Sequence, residues 1–215
     1  KAGRLTAAMP KLILIRHGQS LWNLQDRFTG WVDVPLTEVG HEEARRAGEL
    51  LKAHSFDVAY TSELQRAQVS LDIILEVTGR TDTPVIRNKA LNERMYGDLE
   101  GLNKERTREK YGPELVKIWR RSYDIPPPNG ESLKDTAART IAFFERCILG
   151  DVADGRDVLV VAHGNSNRSI IMHIEKLSPK EIIEMDLTTG IPRVYDIDAK
   201  GAFSAGLDLR PPALP

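Results

Sequence analysis

A single cysteine, Cys147, in 215 residues excludes an internal disulfide and any metal centre built on several thiolates, and it predicts a protein of the reducing cytoplasm. Long apolar runs are scarce as well. LILI (12–15) and VLVVA (158–162) fall far short of the roughly 20 residues a membrane-spanning helix needs, so no membrane partner is expected. Neither charge is in excess: 30 Lys and Arg face 31 Asp and Glu, a net charge of -1 that supplies no global field for nucleic acid but leaves room for a local basic pocket. The usual phosphate and metal motifs are missing too. There is no G-x-x-x-x-G-K-[ST], no G-x-G-x-x-G and no H-E-x-x-H, and HEEAR (41–45) lacks the second histidine of a zinc pair, so no metal is expected.

What is present is a 41% hydrophobic chain able to bury a sizeable core. Residues 1–8, KAGRLTAA, carry no long apolar stretch and are expected to be a disordered extension, leaving residues 9–215 as a single domain. Five runs have strand length and β-branched content: 11–16, 57–61, 84–88, 157–162 and 193–197. Helical periodicity lies between them. Residues 38–53 align Ala44, Ala47, Leu50 and Leu51, and residues 63–77 align Leu64, Ala67, Leu71 and Ile74. For the second helix Ser62 and Gln65 read as a capping box and Gly79 as the stop. A helix over 132–149 carries Leu133, Ala137, Ile141, Phe144 and Ile148 behind a Ser132 cap, and SPKE (178–181) opens another. Alternating strands and helices predict a three-layer α/β fold, a mostly parallel sheet with helices on both faces. The charged stretch at about 89–129 reads as a helical insertion over that sheet.

One ending occurs twice, in LILIRHG (12–18) and VLVVAHG (158–164). Strand ends of one polarity share an edge in a parallel sheet, and ligands bind in the crevice there, so His17 and His163 should converge. Each is followed by Gly and then by small polar residues, Ser20 and Asn23 in one case, Asn165 and Ser166 in the other. His41, His54 and His173 lie in or beside helical patterns and carry no such signal. Arg16 with the two histidines makes the crevice cationic and its ligand anionic; Arg66, in the first turn of the helix expected after Ser62, is either a surface charge or a further guanidinium, whose planar fork matches phosphate in two hydrogen bonds. Imidazole is then the best candidate nucleophile, because a ring nitrogen can accept a phosphoryl group while cations stabilise the equatorial oxygens.

LIRHGQSLWN, RFTGWVDVPLTEVG, TSELQRA, LNERMYGDLEGLNK, WRRSYDIPPP and VAHGNSNR, in order from about Pro10 to about Ile197, closely resemble the cofactor-dependent phosphoglycerate mutases of the histidine phosphatase superfamily. RHG alone would indicate only the superfamily, which is rich in phosphatases; the other segments are specific to the mutase branch. The resemblance implies a phosphoglycerate mutase-like fold and interconversion of 3-phosphoglycerate and 2-phosphoglycerate in glycolysis and gluconeogenesis. Priming by 2,3-bisphosphoglycerate, a phosphohistidine intermediate and a metal-independent reaction come with it. By the same resemblance His17 takes the phosphoryl group, Glu93 gives and takes the hydroxyl proton, and His163, Arg16 and Arg66 complete the catalytic set. Substrate contacts carry over to Arg16, Ser20, Asn23, Thr29, Gly30, Arg66, Glu93, Tyr96, Lys104, Arg120, Arg121, Gly164 and Asn165. A homo-oligomer, dimer or tetramer, is compatible with the sequence.

Three physical expectations accompany these assignments. Burial and the substrate's phosphates should both raise the pKa of Glu93 from about 4.3. Adjacent Arg120 and Arg121 can both reach a ligand only if their helix ends there. In NKERTREK only the first lysine, Lys104, is expected to reach the site. Where the family usually has Glu after RHG this chain has Gln19, and Gln65 replaces the usual Lys before the arginine of TSELQRA. A phosphatase that hands the same phosphoryl group to water, and a module that only senses phosphorylated ligands, stay open as alternatives.

Overall fold

The computed structural model describes residues 9–210, so the expected extension at 1–8 lies outside the described residues. Strands β1 (Lys11–Arg16), β2 (Val58–Thr61), β3 (Val85–Arg87), β4 (Val158–Ala162), β5 (Arg193–Asp196) and β6 (Leu207–Asp208) form one sheet in the order β3-β2-β4-β1-β5-β6. The first four positions of that order pair in parallel, whereas β5 and β6 are antiparallel, which makes the sheet mostly parallel as expected. β6 is a strand the sequence pattern does not announce, since two residues are too few to show an alternation. β3 is an edge strand with exposed Val85 and Ile86, so the cover over the sheet stops short of it.

The pleat sorts the core. Leu12 and Leu14 face one side with Val158, Val160, Ile170 and Phe144, while Ile13 and Ile15 face the other with Leu159, Val161, Ala47 and Leu71. Helices α2 (Glu38–Leu51) and α3 (Gln65–Thr78) cover the second face; α6 (Leu133–Phe143) and α8 (Gly164–Glu175) cover the first. α1 (Leu21–Leu24) precedes them in the chain, α4 (Lys104–Tyr111), α5 (Pro113–Arg121) and α7 (Leu149–Ala153) come between them, and α9 (Pro179–Glu184) follows. Buried Phe28, Leu99, Val116 and Trp119 make a separate small core under α5, beside the mouth of the sheet.

Two helix readings are corrected. The helix expected over 132–149 is α only to Phe143, then widens into a π-turn over Phe144–Ile148 before α7. Phe143, Phe144 and Ile148 are all buried, and the extra residue per turn lets two consecutive phenylalanines face the core. Ser62 does not cap α3: the capping position is Leu64, without a side-chain bond, and the Ser62 hydroxyl is engaged elsewhere. Gly79 does end that helix in the left-handed conformation. Among the described residues no helix is long and apolar enough to cross a membrane.

Candidate active site

β1 and β4 pair with Arg16 opposite Ala162, so the next residues, His17 and His163, leave the sheet side by side. Their ring centroids are 4.9 Å apart at an interplanar angle of 62°. Both rings are buried, and burial together with Arg66 and Arg16 holds the pKa of each well below the usual imidazole range. Both are neutral at pH 7. The His17 Nδ1 lies 2.6 Å from the Gly18 carbonyl, an acceptor only, so Nδ1 carries the proton and Nε2 keeps its lone pair. The Gly18 loop is held close: its N–H donates to Ser70 Oγ, and a Cβ at Gly18 would sit 2.1 Å from the Gly40 carbonyl oxygen in α2.

His163 is arranged the other way round. Its Nε2 is 2.7 Å from Ser62 Oγ, and its Nδ1 is buried without a partner beside the His17 ring. Arg16 is half-committed, with one terminal nitrogen on the Leu187 carbonyl at 2.8 Å and a buried Nε unpartnered. Two orphaned donor-capable nitrogens beside the candidate nucleophile suit the oxygens of a phosphoryl group.

His17 opens on a cleft of about 240 Å³ lined also by Arg16, Asn23, Thr29, Gly30, Arg66, Glu93, Tyr96, Lys104, Arg120, Arg121, Gly164 and Asn165. Of the residues expected at the site, the structure keeps two off this surface. His163 lies behind His17, and the Ser20 hydroxyl is spent on capping α1 and on Asn23 Oδ1. Ser20 therefore acts on Asn23, leaving that side chain's Nδ2 as its free donor. Arg120 and Arg121 both reach the cleft because α5 ends at Arg121. Lys104, the first residue of α4, reaches it while bonded to Asp26 at 2.7 Å. Arg66 ties the Gly30 and Val32 carbonyls to α3; burial lowers its pKa to about 10, so it stays charged at neutral pH.

Glu93 corrects the expected direction of its pKa. Burial does push it up, but the Arg94 N–H at 2.7 Å, the Asn165 Nδ2 at 2.8 Å, Arg16 and Arg66 outweigh that and hold it below the ordinary carboxylate value. Without ligand it is a base, ready to take a proton. The loop that carries it is gripped by Arg139 of α6, whose guanidinium donates to the Ala90, Asn92 and Glu93 carbonyls and pairs with Glu131. The Trp31 indole N–H adds a bond to the Glu93 carbonyl at 2.6 Å.

Phe28, Arg27, Arg168, Asp186 and Leu187 also line the cleft and were not anticipated as site residues. Arg168 had a signal, since it lies three residues after Asn165 on one helix face; Asp186 and Leu187 sit in an irregular segment after α9 and had none. Gln19 and Gln65, the two departures, bond to Thr37 and Asp33 and do not line the cleft. Among the described residues no cluster of His, Cys, Asp or Glu could hold a metal ion.

Paired histidines at neighbouring parallel strand ends, one with a free ring nitrogen on a cationic cleft, are the arrangement expected of the histidine phosphatase superfamily (branch 1), whose family model matches residues 12–205. The chain belongs to that superfamily. It is 57% identical over 196 residues to a 2,3-bisphosphoglycerate-dependent phosphoglycerate mutase of Parvibaculum lavamentivorans, covering 90% of this chain and 93% of that one. A protein of the same name from Cytophaga hutchinsonii is 53% identical over 201 residues, covering 94% and 91%. Among solved structures, the alpha-ribazole phosphatase of Shigella flexneri superposes with a TM-score of 0.79 at 28% identity, covering 92% of this chain and 96% of that one.

Proposed function

We propose that the protein interconverts 3-phosphoglycerate and 2-phosphoglycerate in the cytoplasm, as a 2,3-bisphosphoglycerate-primed mutase working through phosphohistidine at His17. The charge of the cleft carries the reading. Seven cationic side chains line it against two carboxylates, an excess of five positive charges. A phosphate monoester brings about two negative charges, whereas a glycerate with two phosphates and a carboxylate brings about four to five. A cleft built for the second ligand is a cleft built to hold the bisphosphate between two transfers, and relatives more than half identical over nine-tenths of the chain bear the mutase name.

The groups divide the work as follows. Phospho-His17 presents phosphorus on Nε2; the substrate hydroxyl oxygen attacks it as Glu93 takes the hydroxyl proton, the P–N bond breaks and Nε2 regains its lone pair. After the bisphosphate has turned, Nε2 attacks the other phosphorus and Glu93 returns its proton to the departing alkoxide. Arg16, Arg66 and the free Nδ1 of His163 stabilise the equatorial oxygens in both steps. Phosphates bound beside Arg16 and Arg66 also cancel the field that keeps Glu93 ionised, so ligand binding prepares it to be an acid.

A coupled assay with dephosphorylated enzyme tests this. Isomerisation that needs catalytic 2,3-bisphosphoglycerate and persists in chelator is expected. Indifference to the bisphosphate overturns it, as does release of free phosphate without isomerisation, the behaviour that the names of the solved relatives suggest for those proteins.

A further inference from the structure

Arg168 lies one turn beyond Asn165 on α8 and lines the same cleft. Its guanidinium donates to two neutral oxygens, the Met185 carbonyl at 3.3 Å and the Asn165 amide Oδ1. Arginine has donors only, so an amide held against it has to present its oxygen. The amide nitrogen of Asn165 is thereby turned the other way, where it donates to Glu93 Oε1 at 2.8 Å beside the Asn165 backbone N–H at 3.1 Å. With the amide flipped, an oxygen would face the carboxylate and a donor would face the guanidinium, losing both bonds at once.

We propose that Arg168 is a positioning residue for proton transfer: it locks the Asn165 side chain so that its nitrogen faces Glu93, and acts on Glu93 through that amide. The inference rests on the mutase reading for its consequence in turnover but not for its geometry. Charged and titratable groups face Glu93 from every side, Arg16 from β1, Arg66 from α3, Arg139 from α6, and Arg94 and Tyr96 from its own loop. Arg168 also senses the Glu93 charge directly. Those other cations remain when Arg168 is replaced, so the experiment has to separate its direct field from its effect through Asn165.

A double-mutant cycle does so. The Glu93 carboxyl is followed by carbon NMR in glutamate-labelled, unliganded wild type, Arg168→Met, Asn165→Ala and the double variant. Each single change is expected to move the Glu93 titration upward, and the double variant to exceed Asn165→Ala by much less than the Arg168→Met shift, the small remainder being the direct field of the Arg168 charge. Fully additive shifts would overturn the proposal, because they mean that the whole effect of Arg168 on Glu93 is its direct field and none of it passes through the amide. Arg168→Lys keeps a donor-only cation at a site where Met could unfold the helix, and it should titrate like wild type; an upward shift as large as that of Arg168→Met counts against it. In turnover, Arg168→Met should lower kcat about tenfold with the acid limb of its pH profile displaced upward, beside whatever rise in KM follows from losing one of the seven cleft cations. A raised KM with an unmoved limb would make Arg168 a plain ligand contact and overturn the idea. Since the titration needs no substrate, absence of isomerisation in the wild type would sink the mutase reading and leave this inference standing on its own result.

Discussion

The end of β1 and the end of β4 share a local sequence and a register, yet they present opposite faces of the same side chain. His17 gives Nδ1 to its own loop and keeps Nε2 for the cleft; His163 gives Nε2 to Ser62 and keeps Nδ1 beside its neighbour. The glycines differ in the same way. Gly18 lies against α2 with no space for a Cβ, whereas a Cβ at Gly164 would meet its nearest atom, Arg16 Nε, at 3.6 Å. Equivalent strand ends therefore do not make equivalent residues. On the proposed reaction, the partner of the second ring nitrogen decides which histidine is the nucleophile and which is the donor.

The largest test of that asymmetry is His17→Ala, expected to remove at least about 10⁴-fold of activity and all phosphate from the protein, read by mass spectrometry under mildly basic conditions after mixing with 2,3-bisphosphoglycerate. His163→Gln should retain the adduct and lose on the order of 10²-fold in kcat; loss of the adduct as complete as in His17→Ala would erase the distinction. Both rings are neutral when folded and bind protons freely when unfolded. Below about pH 6.5 the unfolded chain gains protons that the folded chain refuses, so stability must fall as pH drops, by up to about 1.4 kcal/mol per pH unit for each histidine. Urea midpoints at pH 8, 6 and 5 measure it, and replacing either ring by an asparagine should flatten the slope. Gly18→Ala should cost about 1–3 kcal/mol through its overlap with Gly40, while Gly164→Ala leaves stability nearly unchanged and harms activity, its methyl intruding beside Arg16 and Glu93; thermal unfolding alongside kcat/KM separates the two. Smallest is Ser62→Ala, which frees His163 Nε2 and should lower kcat by a few-fold to about tenfold without touching the adduct.

The histidines were legible because two apolar runs ended alike, and a parallel sheet turns that repetition into proximity. Arg120 and Arg121 were legible because the proline run after them had to stop a helix. Other features depend on what the chain meets only after folding. Ser62 looks like a helix cap, and nothing local reveals that an imidazole about 100 residues away takes its hydroxyl. Glu93 looks like a carboxylate raised by burial, but the Arg94 N–H beside it, joined by Asn165 from α8 and the charges of Arg16 from β1 and Arg66 from α3, reverses the direction. Ser20 carries the right chemistry for a ligand contact and is consumed by its own helix start. Arg168 was within reach of helical periodicity, whereas Asp186 had no pattern to betray it.

The Gly18 backbone is pressed against Gly40 of α2, and the His17 ring is tied to that same backbone through its Nδ1–H, so the imidazole is held in place. On the proposed reaction, both half-transfers then happen at one fixed point, and it is the small molecule that must tumble end over end while still captive. Some of it will slip away before finishing the somersault. Each such escape would leave an idle, unprimed enzyme behind, so on that reaction a need for a trace of bisphosphate in the surroundings follows from a ring that stays put.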